Sequence, residues 1–174
     1  MTRYFRIKLL KYTLYSIIIF FSFIIQSTPG VLDFYGIKPN LVLPACICIA
    51  IFEGEFIGGL FGFLAGIFCD TAAETIFGFN AFFYLVLCTA VGLATIYILR
   101  RDTMNALLLC FGGLFLTAFS DFFFSYVLYQ YDGLPGFFYT VIIPPVLLSS
   151  VFSLPYYCLF RWLYGKFETD PVNK

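Results

Sequence analysis

Histidine is absent from all 174 residues, which removes the Ser-His and Cys-His pairs of nucleophilic catalysis. The six cysteines, Cys46, Cys48, Cys69, Cys88, Cys110 and Cys158, form no CxxC pair. A zinc site therefore has neither of its usual nitrogen and sulfur ligand patterns. Each cysteine lies in or beside an apolar run, where a free thiol serves as a small packing residue. Charge is scarce as well. Ten basic and ten acidic residues make up 11% of the chain and 61% is hydrophobic, against about 25% and about 45–50% in an ordinary soluble domain. So few charges cannot cover the exterior of a water-soluble domain of this size. No basic cluster of the kind that holds nucleic acid occurs, and no phosphate-binding glycine loop. Neither a cofactor nor a metal is expected.

What is present is a series of apolar runs, and lipid is the solvent they require. The basic start MTRYFRIKLLK leads into the first run without the small-x-small ending that signal cleavage needs, so it reads as an uncleaved helix. Six spans are expected, at about residues 9–28, 39–52, 56–70, 81–99, 104–128 and 144–163, all in one membrane domain. Pro29-Gly30 ends the first and Pro39-Asn40 opens the second, since a proline at a helix start loses no hydrogen bond. Glu53-Gly54-Glu55 makes a tight turn between the second and third, both of which read as short and suited to a compact bundle. Arg100-Arg101-Asp102 stops the fourth. Asp132, Gly133, Pro135 and Gly136 break the loop after the fifth, and an interfacial approach over 137–143 precedes a last helix that Pro155 kinks.

Orientation follows from where the cations fall. With the N-terminus inside, Arg3, Arg6, Lys8, Lys11, Arg100, Arg101, Arg161, Lys166 and Lys174 lie on the cytoplasmic side and only Lys38 lies outside. Six spans satisfy the positive-inside rule, whereas five or seven would strand Arg161 and Lys166. The expected location is a bacterial inner membrane, with both termini cytoplasmic.

Two sets of residues carry further information. Gly54, Gly58, Gly62 and Gly66 recur every four residues along the third run, beside Gly59 and Ala65. A small-xxx-small stripe lets another backbone approach closely, which is how helices associate in lipid. It serves either packing within the chain, most simply against the second helix, or docking of another protein. Asp70 continues the same face four residues on, and Asp121 lies deep in the fifth run. A carboxylate at such depth costs about 2.5–3.5 kcal/mol on insertion scales and should face the bundle interior. No span offers a cation, so partners are sought among Thr71, Asn80, Ser120, Ser125 and the backbone, unless one carboxyl is protonated. Both readings of Asp70, helix-end capping and a functional polar site, stay open, as they do for Asp121.

Lys38-Pro39-Asn40, the Glu53-Gly54 turn, the segment GFLAGIFCD over 62–70 and Gly78-Phe79-Asn80-Ala81 occur in that order. In order and spacing the sequence resembles the MreD family of rod shape-determining proteins. That resemblance implies an all-α, six-helix membrane bundle similar to the substrate-binding S components of energy-coupling-factor transporters. It implies a non-enzymatic scaffold of the cell-elongation machinery that binds the bitopic protein MreC and other elongation-complex membrane proteins and couples MreB filaments to peptidoglycan synthesis. Gly54, Gly58, Gly62, Gly66, Asp70, Gly78, Asn80 and Asp121 are the residues expected to form the packing or partner-binding region.

Two rivals share some features. A vitamin-binding S component has the same size and helix count, but such subunits resemble one another in an Ala-xxx-Ala motif on the first helix, and residues 9–28 contain no alanine. An intramembrane aspartyl protease would use Asp70 and Asp121 as a shared-proton dyad, but that family's asparagine-containing motifs are not recognisable here.

Overall fold

The computed structural model describes residues 2–28, 30, 38–72, 77–99, 101–129 and 143–168. The described residues form six helices: α1 Thr2–Ser27, α2 Val42–Glu53, α3 Glu55–Ala72, α4 Phe79–Tyr97, α5 Thr103–Tyr129 and α6 Ile143–Glu168. No strand occurs among them. The expected loop over Asp132–Gly136, the approach over 137–143 up to its last residue, and the cations Arg100 and Lys174 lie outside the described residues.

Five helices are long and apolar enough to cross a bilayer. Helix α1 starts seven residues before the expected Leu9, so its basic residues belong to the helix rather than to a preceding tail. Helix α3 has 18 residues, and at about 1.5 Å each it is long enough to span, where a shorter run over 56–70 is expected from the sequence. Pro155 sits within the 26 residues of α6 without ending it.

The exception is α2. Its 12 residues begin at Val42, not Pro39, and reach only about 18 Å. Every residue from Val42 to Phe52 is buried, and α2 touches each of the other five helices. A helix that is apolar all round belongs in the middle of a protein. Surrounded by protein, it has no need to match the thickness of the lipid.

Helices α3 and α4 share the most extensive interface, followed by α2 with α3, α5 with α6, and α2 with α6. Helix α1 touches α2, α3 and α6 more sparsely, and Phe20, Phe21, Leu9 and Leu10 stand exposed on it. Broad apolar exposure on α1, α4 and α5 is the expected exterior of a bundle whose solvent is hydrocarbon.

Side-chain contacts define two ends. At one, Lys11 of α1 forms an ion pair with Glu53 of α2, and the Tyr15 hydroxyl donates to Glu53 Oε1 at 2.9 Å. There Tyr164 of α6 lies between Lys11, 4.6 Å from its ring centre, and Arg101, 5.4 Å from it. At the other end Gln26 of α1, Asn40 before α2, Tyr84 of α4 and Ser149 of α6 meet. Successive helices therefore run back and forth between these ends.

Candidate functional site

The glycines of α3 bring two other helices to within backbone contact. A Cβ added to Gly58 would lie 2.5 Å from the Cα of Ala50 on α2. On Gly62 it would lie 2.7 Å from the Tyr84 carbonyl oxygen, and on Gly59 2.5 Å from Thr89 Oγ1, both on α4. On Gly66 it would overlap the Ala81 backbone and lie 2.6 Å from the Asn80 carbonyl oxygen. The partner of the stripe is thus chiefly α4, with Gly58 alone turned to α2, where α2 is the simplest partner from the sequence. The geometry of a four-residue repeat explains the change. Each step advances about 400°, so from Gly58 to Gly66 the stripe rotates by about 80°, enough to leave one neighbour and reach the next.

Helix α4 answers with its own glycine. A Cβ on Gly92 would lie 2.5 Å from the Cα and the N of Glu55. Sequence reading missed this residue because it stands alone rather than in a repeat. Gly54 makes the turn between α2 and α3 possible with a φ of 91°, a region that costs other residues steric strain. Gly58, Gly59, Gly62 and Gly66 are all buried against the chain's own helices.

Asp70, at the far end of α3, is buried and caps α4 across the connection. Its Oδ2 accepts from the backbone N–H groups of Gly78 and Ala81, and its Oδ1 from that of Asn80, each at 3.0 Å. A helix begins with N–H groups that have no intrahelical partner and with the positive end of its dipole, so a carboxylate is both acceptor and countercharge there. Gly78, at φ 96°, turns the chain into that position. This arrangement holds a buried carboxylate without any lysine or arginine. Of the side chains considered as its partners, Thr71 donates instead to the Phe68 carbonyl at 2.7 Å.

Asp121 takes no part in the cap. It is exposed on α5 and, among the described residues, makes no hydrogen bond or ion pair, but its carboxyl lies within electrostatic range of Asp70, Cys69 and Tyr84. The side chain of Ser125 lies outside the described residues. Both oxygens of Asp70 are engaged by the cap, and among the described residues no hydrogen bond joins the two carboxyls.

A second polar cluster holds the start of α2. Gln26 Oε1 accepts from the N–H groups of Leu41 at 2.9 Å and Val42 at 3.2 Å, and Asn40 Oδ1 accepts from Leu43 N at 3.1 Å. Pro44 follows and has no N–H to satisfy. The Asn40 backbone N–H donates to Ser149 Oγ at 2.7 Å, and its Nδ2 donates to the Tyr84 hydroxyl at 2.9 Å. Three helices therefore converge on the buried start of α2, and inside a membrane protein irregular backbone survives only where protein satisfies it. Gln26 is the sole amide in the first apolar run, and that isolation is the signal by which it could have been found.

Among the described residues, no group of three or more metal-ligating side chains comes together and no buried side-chain nitrogen or oxygen lacks a hydrogen-bond partner. No curated protein and no solved structure is similar enough to match the chain. The sequence profile described as rod shape-determining protein MreD matches residues 7–167, which include every glycine of the stripe, the Asp70 cap and the lock on α2. The chain belongs to the MreD family of rod shape-determining proteins.

Proposed function

We propose that this protein is a non-enzymatic scaffold of the cell-elongation machinery in a bacterial inner membrane, with both termini in the cytoplasm. It binds an MreC-like bitopic protein and other membrane proteins of the elongation complex, and through them couples MreB filaments to peptidoglycan synthesis. The observation that carries this reading is family membership over nearly the whole chain. A bundle with interlocked backbones and satisfied buried polar groups also suits a scaffold, which must present partners with a fixed shape.

The α2–α3 hairpin and the Asp70–Asn80 connection are the proposed contact region. Within it Gly54, Gly58, Gly62, Gly66, Gly78, Asn80 and Asp70 act by setting the shape of the α3–α4 pair. Direct contact falls to the large exposed side chains at its two ends, Phe56, 82% exposed, and Phe77, 70% exposed. Asp121, exposed on α5, is a further contact candidate.

Co-purification in detergent tests this. The Phe56→Ser, Phe77→Ser double variant should accumulate normally in the membrane, lose its MreC-like partner and give rounded cells when it is the only copy. Full partner recovery with rod-shaped cells would remove the contact region. Rod-shaped growth after complete depletion of the protein would remove the proposed role itself.

A further inference from the structure

Between α1 and α3 the bundle surface opens into a groove of about 390 Å³. Thr13, Ser16 and Phe20 line one wall, and Phe61, Leu64 and Phe68 the other. The two hydroxyls are turned back onto their own helix, Thr13 to the Leu9 carbonyl at 2.8 Å and Ser16 to that of Tyr12 at 3.0 Å. The groove is therefore apolar throughout.

One cation stands in line with it. Arg6 precedes Thr13 by seven residues, which places it within about 20° of Thr13 around α1 and about 10.5 Å along the axis. Arg6 is exposed, and among the described residues it makes no hydrogen bond or ion pair. Lys11, by contrast, is turned inward to Glu53. Arg6 lies about 7.5 Å beyond that ion pair along α1, at the first residue of the apolar span Arg6–Ser27, where a charged head meets the membrane surface. From Thr13 to Phe21 the groove runs inward about 12 Å, close to the half of a hydrocarbon core of about 30 Å that one leaflet supplies.

We propose that this groove is a binding site for an anionic phospholipid of the leaflet on the Arg6 side. One acyl chain lies between α1 and α3, and the phosphate rests on the Arg6 guanidinium. The walls favour a flexible chain over a protein helix. Close helix association in lipid uses small residues; α1 has neither glycine nor alanine between residues 9 and 28, and its two small residues in the groove, Thr13 and Ser16, keep their hydroxyls on their own backbone. The glycines of α3 are already spent on α2 and α4.

The test places a reporter in the groove. Phe20→Trp in a Trp162→Phe background is reconstituted into phosphatidylcholine vesicles containing phosphatidylglycerol, with bromine on the acyl chains of one lipid or the other. Quenching should show about a fivefold preference for phosphatidylglycerol at residue 20, the effect of one basic residue at an anionic membrane surface. Arg6→Gln should bring the preference to unity and Arg6→Lys should keep it. A reporter at Leu93→Trp, on the exposed face of α4, should show no preference with either residue at position 6. An unchanged preference in Arg6→Gln would overturn the site. So would absence of quenching at residue 20 by both lipids, because a second copy of the chain would then be covering the groove.

Discussion

Asp70 spends its charge on backbone amides, and its removal should be felt at the start of α4. Asp70→Ala leaves three N–H groups without their acceptor, in a region where an unsatisfied buried group costs about 1–3 kcal/mol. A loss of about 3 kcal/mol or more in unfolding free energy in mixed micelles is expected, with faster hydrogen exchange at the amides of Gly78, Asn80 and Ala81. Asp70→Asn should lose less, because one oxygen remains to accept. Glycines give a sharper contrast still. Gly66→Ala forces backbones apart and should abolish the folded protein or cost several kcal/mol, whereas Gly112, whose added Cβ meets nothing within 4 Å, should accept alanine with a change within about 1 kcal/mol. Thermal melting of the two variants in one detergent decides it. Comparable loss in both would mean that close approach is not what Gly66 provides. At this scale the sequence is partly legible. The spacing from Gly66 to Asp70 places both on one face, but nothing in it says that the carboxylate reaches over to residues 78–81, because that depends on where the chain returns.

Helix α2 is the element whose character a span assignment misses. Its apolar composition is plain, yet its length and its all-round burial follow from what the other helices do around it. Beginning inside the bundle, it depends on borrowed acceptors. Gln26→Ala should expose the amides of Leu41 and Val42 to exchange and destabilise the protein by about 2 kcal/mol, while leaving exchange at the α3–α4 interface unchanged. Unchanged protection of both amides would show that the lock is held without Gln26. The small-residue stripe is legible for the opposite reason. Its four-residue recurrence is local, and only its division between α2 and α4 required the packed bundle.

The whole molecule is a set of alternating passes between an end rich in cations and aromatics and an end rich in amides and hydroxyls. Lys11, Glu53, Arg101 and Tyr164 gather at the first, and Gln26, Asn40, Tyr84 and Ser149 at the second. Cysteines introduced at exposed Gly30 and Phe77 should react with a membrane-impermeant thiol reagent applied to intact spheroplasts, and one at exposed Asp102 should react only after lysis. The reverse pattern would invert the proposed orientation, and labelling of all three from outside would break the alternating topology.

By itself the sequence determined that lipid surrounds this chain, roughly where each helix lies and which family it resembles. These are properties of local composition and short-range periodicity, set by the cost of leaving charge or backbone unsatisfied in hydrocarbon. Only the tertiary structure decided that α2 is a central short helix, that α4 is the main partner of the glycine stripe, and that Asp70, Gln26 and Asn40 complete helices begun elsewhere. Such contacts join residues distant in the chain, and their energies depend on separations of a few ångströms that no local pattern encodes.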